Sequence, residues 1–98
     1  MKKTANYVRK EMITIVKSHA EALANTSLTL MAQLRDYLDP VKSQMTWGVA
    51  KMFLLEMACD TTVDESIRKD ISKKIKIIED ISLQLDDYKK MLTEMRQV

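Results

Sequence analysis

Cys59 is the single cysteine of the chain and His19 the single histidine. With the carboxylate pairs Glu79-Asp80 and Asp86-Asp87 they are the first residues to weigh for chemistry. A metal site needs convergent ligands, and no Cys or carboxylate stands three or four residues from His19, the spacing that shares a helix face. A nucleophilic thiol needs a basic, partly exposed setting with a base at hand. The neighbours of Cys59 are Ala58 and Asp60, so it reads as a small buried hydrophobe on the stripe of Val41 and Met52. Adjacent carboxylates on a helix diverge by about 100° and do not converge on one substrate. One glycine in the whole chain forbids a glycine-rich phosphate loop. The expectation is no catalytic residue, no cofactor and no metal: this is not an enzyme.

Two groups of residues suit binding better than catalysis. Arg68, Lys69, Lys73, Lys74 and Lys76 form the densest basic run. Lys69, Lys73 and Lys76 share one helix face and are the candidates for phosphate contact. Asp70 interrupts the run, and no aromatic residues are interleaved for base stacking. The second group is apolar. Met45 and Met52, with Phe53, present the adaptable side chains that partner surfaces favour. Ile71, Ile78, Ile81 and Leu85 mark a heptad seam able to meet another helix.

The elements that position these groups follow from composition. The chain has 98 residues, with 46% hydrophobic, 31% charged and 5% aromatic side chains, and a formal net charge of +2. One Gly and one Pro leave few turns, which excludes sandwiches, barrels and loop-built sites. The balance of charge dictates no partner. A lone cysteine makes no internal disulfide and suits a reducing compartment. Arg9, Lys10, Glu11, Lys17 and Glu21 interrupt any signal-peptide core, and no apolar run nears the roughly 20 residues of a bilayer span. A cytoplasmic location is expected.

Asp39-Pro40 predicts a helix start, with Asp as N-cap and Pro in the first turn. Thr62-Val63-Asp64-Glu65 fits a capping box, with Thr62 as N-cap. The predicted elements are helices over 3–38, 40–60 and 63–96 in one domain, residues 1–98. Helix 1 carries an apolar sector of Val8, Met12, Ile15, Val16, Ala20, Leu23, Leu30, Leu34 and Leu38, with a candidate kink at Asn25-Thr26-Ser27. Helix 2 is apolar nearly all round and is expected to be buried; its Gly48 would permit close approach by another helix. Helix 3 repeats Ile71, Ile78, Leu85, Leu92 and Ile67, Ile81, Tyr88, Met95 in heptads, with Lys74 interrupting.

The fold expected is all-α, an elongated three-helix bundle in a long–short–long order. That layout resembles the intertwined helical chorismate mutases, but Lys17 is the sole Lys or Arg between Met12 and Leu34, too few for their basic pocket. Helices 1 and 3 would span ~50 Å and helix 2 ~30 Å. The overhanging stripes then need a cover, and a second copy is the expected one. Basic Arg68–Lys76 and acidic Glu79–Asp87 lie symmetrically about Ile77-Ile78, which predicts antiparallel pairing of helix 3 with its copy. The function expected is non-catalytic protein–protein interaction, as an adaptor, a secretion-type chaperone or a small inhibitor or regulator. The alternative is a dimeric nucleic-acid-binding regulator using Lys69, Lys73 and Lys76.

Overall fold

The computed structural model describes residues 2–97, and the side chains of 6–96. It is all-α, with no strand among the described residues. The order is α1 (Lys2–Arg35), α2 (Pro40–Ser43), α3 (Trp47–Cys59) and α4 (Glu65–Gln97). α1 and α4 run antiparallel along a body of 65 × 23 × 17 Å. The Tyr37–Asp70 hydrogen bond at one end and the His19–Tyr88 ring contact further along fix their register.

Burial picks out the contact line between them. On α1 the line runs through Arg9, Ile13, Val16, Ala20, Leu23, Ser27, Leu30 and Leu34, with Ala24, Met31 and Arg35 also shielded beside it. On α4 it runs through Ile67, Ile71, Lys74, Ile78, Ile81, Leu85, Tyr88, Leu92 and Met95, with Arg68, Asp70 and Ile75 also shielded beside it. Both lines step by three and four residues, the spacing of a coiled-coil seam. The α4 seam agrees with the heptad read from sequence. The α1 seam keeps Val16, Ala20, Leu23, Leu30 and Leu34 of the expected sector, but Val8, Met12 and Ile15 stay on the outside. α1 continues without a break through Asn25-Thr26-Ser27, where Thr26 Oγ1 donates to the Ala22 carbonyl and Thr29 Oγ1 to the Asn25 carbonyl. The helix persists although such bonds to the carbonyl four residues back can bend one.

The middle element differs from expectation. The predicted helix over 40–60 is broken at Gln44-Met45-Thr46 into one turn, α2, and the 13-residue α3. Arg35 supplies the reason. Its Nη1 donates to the carbonyls of Ser43 at 2.6 Å and Met45 at 2.7 Å, and its guanidinium lies 5.9 Å from the Trp47 ring centre. Charge-assisted bonds to the two carbonyls hold the chain in a bend between helices. The start of α2 is as read: the Asp39 carboxylate accepts from the Val41 and Lys42 amides at 3.1 and 2.9 Å, with Pro40 next. The start of α4 is not. Asp64, rather than Thr62, takes the cap position, its carbonyl accepting from Ile67 and Arg68 and its carboxylate from Ser66. Thr62 is drawn off by Asp60, to which its amide and hydroxyl both donate. α1 ends at Arg35 in a tight turn through Leu38.

α3 packs chiefly on α4 and less on α1. It is joined to α4 by a short link at its C-terminal end, and its N-terminal end lies beside Ser27 and Ser82. It therefore covers only one half of the hairpin. Leu34, Leu54, Ile71, Ile75 and Ile78 form the core there, with Trp47, Met57 and Tyr37 packed around them. We call this half the head. The other half, roughly 6–26 with 82–96, is a two-helix stem.

Candidate interaction surfaces

The candidate residues separate into three environments. Ile71, Ile78 and Ile81 are buried by the same chain and Leu85 is half-buried. The seam expected to receive a copy of helix 3 is filled by α1 instead, because the antiparallel hairpin satisfies the heptad within one chain. Antiparallel α4–α4 pairing through that seam is therefore excluded while the hairpin is closed.

Met45 and Met52 are exposed and Phe53 is half-buried. The expectation that the whole middle segment is buried is corrected: α3 sinks only Ala50 and Leu54. One side of an isolated helix suffices for packing on a hairpin, so the other side faces out. Val41 is 70% exposed and Met52 65%, and Val49, Leu55 and Met45 are exposed with them. Lys42 stands over the Phe53 ring at 4.7 Å while pairing with Asp39, so this apolar face is edged by a cation held in place. Gly48 is on the open side too. A Cβ built there meets nothing within 4 Å, so no neighbour in the chain uses its small size. Cys59 is exposed rather than buried.

The basic run on α4 also divides. Arg68 turns inward, its Nε donating to the Val63 carbonyl at 2.9 Å, and Lys74 pairs with Asp70 at 2.9 Å. Lys69, Lys73 and Lys76 remain on the outer surface, Lys69 paired with Glu65 at 3.2 Å. His19 is exposed, its ring set edge-on to Tyr88 with centroids 5.5 Å apart.

One polar cluster is shielded. Tyr37 Oη donates to Asp70 Oδ2 at 2.6 Å, and Lys74 Nζ donates to the same oxygen. The hydrogen bond from Tyr37, then that from Lys74, holds the Asp70 carboxyl below its ordinary value. The same bond to Asp70 raises the Tyr37 phenol. These groups tie the end of α1 to α4. Among the described residues, no group of three His, Cys, Asp or Glu is placed to hold a metal ion, and no helix is long and apolar enough to cross a membrane.

A cleft of about 430 Å³ opens where α3 stops and the stem begins. It is lined by Trp47, Met31, Ile78 and Leu85, with Gly48, Ser27 and Ser82, and closed on one side by the Lys51–Glu79 ion pair. Sequence reasoning did not find it, since it arises from the break before Trp47. Compared with protein-family models, curated proteins and solved structures, the chain gives no significant match.

Proposed function

We propose that this chain is a non-catalytic, cytoplasmic protein–protein interaction module that works through apolar helical faces, as an adaptor, a chaperone of the secretion type or a small regulator. The observation that carries this reading is the exposure of Val41, Met45, Val49, Met52 and Leu55 along α2, the bend after it and α3. Scattered exposed apolar residues need no explanation, but a run of them along one short segment marks an interaction surface. A second copy of the chain is the first partner proposed. The half-length cover that α3 gives the hairpin, and the open space around Gly48, support a helix from a copy approaching closely.

Light scattering at micromolar concentration tests this. The expected mass is clearly above 11.3 kDa. Met52→Asp and Val49→Asp, both on exposed positions, should return the chain to a monomer with its helicity intact. A native chain that is monomeric throughout would overturn the homodimer. The alternative reading, nucleic-acid regulation through Lys69, Lys73 and Lys76, predicts duplex DNA binding that falls steeply between low and moderate salt; the interaction-module reading predicts none.

A further inference from the structure

The stem has two flanks, and they differ in a way that the head explains. Beside the seam on one side, positions seven apart form the row Lys10, Lys17, Ala24, Met31 on α1 and the row Ile75, Ser82, Lys89, Arg96 on α4. In the head this side is the one α3 occupies: Ile75 is buried, and Met31 and Ser82 line the cleft beside Trp47. Followed outward along the stem, both rows turn basic. The register set by Tyr37–Asp70 and His19–Tyr88 brings Lys17 level with Lys89, and Lys10 level with Arg96. The two rungs are seven residues apart, or ~10 Å along the axis. All of these cations are exposed. The opposite flank of the stem, with Met12, His19, Gln84 and Met91, has no cation in the corresponding rows.

We propose that the stem groove continuing from α3 is a docking site for an acidic amphipathic helix of a partner protein. The inference rests on the interaction-module reading and names a partner for a different surface from the α3 face. Three points set the occupant. First, the same groove already accepts a helix in the head, so its width suits a helix. Second, its floor is the half-buried seam, including Val16, Ala20 and Leu85, which calls for an apolar stripe. Third, its walls carry Lys10, Lys17, Lys89 and Arg96, which call for carboxylates on both edges of that stripe. Glu21 and Asp86, level with one another one row further out, mark the end of the basic stretch. A helix seated between the two rungs would continue the line of α3 and complete a three-helix bundle over the stem.

The test uses the full chain and two labelled helical peptides of about 21 residues, a length of ~30 Å. Both carry Leu at seam positions; one has Glu on both edges, the other Lys. Anisotropy should show binding of the Glu peptide and at least tenfold weaker binding of the Lys peptide. Lys17→Glu with Lys89→Glu, on exposed positions, leaves two cations against two anions and should abolish that preference at unchanged helicity. Met52→Asp should leave Glu-peptide binding as it was. Equal affinity of the native chain for the two peptides, or no response to the charge reversal, would overturn the proposal. Loss of Glu-peptide binding in Met52→Asp would also overturn it, moving the contact to the α3 face while leaving the interaction-module reading in place. Full displacement of the Glu peptide by duplex DNA would assign the groove to phosphates and overturn it as well.

Discussion

The hydrogen bond from Tyr37 to Asp70 is the residue contact with the clearest dependence on pH. Asp70 is held below its ordinary 3.8, first by Tyr37 and then by Lys74. A depressed carboxyl adds stability that is present above the unfolded value and is lost as pH falls through the folded one. Tyr37 is held above its ordinary 10.0 by the same bond. Its contribution is present below the unfolded value and is lost as pH rises through the raised folded one. Stability should therefore form a plateau between about pH 4 and pH 10. Tyr37→Phe should lower that plateau by about 1–2 kcal/mol, the low end of the scale for a bond to a charged group because the Asp70 carboxylate is partly exposed to solvent. It should also soften both shoulders, as read by urea unfolding across pH. An unaltered alkaline shoulder would count against the assignment. At this scale the sequence was legible where one residue had one local option. Asp39, set directly before Pro40, had only the α2 amides to cap. Thr62 could not be read correctly, because Asp60 and Asp64 lie two residues to either side. Asp60 took its hydroxyl and Asp64 took the cap. Cys59 was misplaced for another reason: a helix apolar all round carries no mark of which side will be covered.

Among the elements, the long helices were legible and the break between α2 and α3 was not. Gln44-Met45-Thr46 contains no Gly or Pro, so nothing local ends a helix there. The stop is tertiary, made by Arg35 eight and ten residues upstream. Arg35→Ala should strip two carbonyls of a charged donor and remove the cation from Trp47. The expected cost is about 2 kcal/mol, or on the order of 10 °C in Tm for a domain this size. Arg35→Lys should recover part of it, because an ammonium keeps the charge without the planar fork. If Arg35→Ala melts like the parent, the break has another cause. The α4 heptad could be read because Ile and Leu fill it. The α1 seam could be read in part, at Val16, Ala20, Leu23, Leu30 and Leu34; Arg9 and Ser27 also belong to it, while the more apolar Val8, Met12 and Ile15 stand outside. The basic groove is not legible in the sequence, because Lys10 and Lys17 meet Arg96 and Lys89 only through the register of the two long helices.

For the whole molecule, the mismatch in helix length was legible and its resolution was not. No residue pattern marks where a short helix will sit along two long ones; packing places α3 at the closed end, where its link to α4 is short. The result is a head with a three-sided core and a stem with a seam alone. Buried side chains with no exposure, Leu34, Ala50, Leu54 and Ile71, all lie in the head. The stem has no third helix over its seam, and that seam is thinned by Arg9 and Ala20. Local opening of the stem should therefore cost far less than global unfolding. Hydrogen exchange followed by mass spectrometry should show peptides from 6–16 and 88–96 exchanging at least tenfold faster than peptides from 50–58 and 67–80. The outward-facing Val8, Met12 and Ile15 make the experiment sensitive to whatever covers the stem. A helix laid in the groove should slow exchange in both stem helices together, since it would touch the rungs on α1 and α4 at once. Docking on the α3 face should slow 47–59 and leave the stem fast. Uniform protection along α1 in the chain alone, at a concentration where it is monomeric, would contradict the division into head and stem.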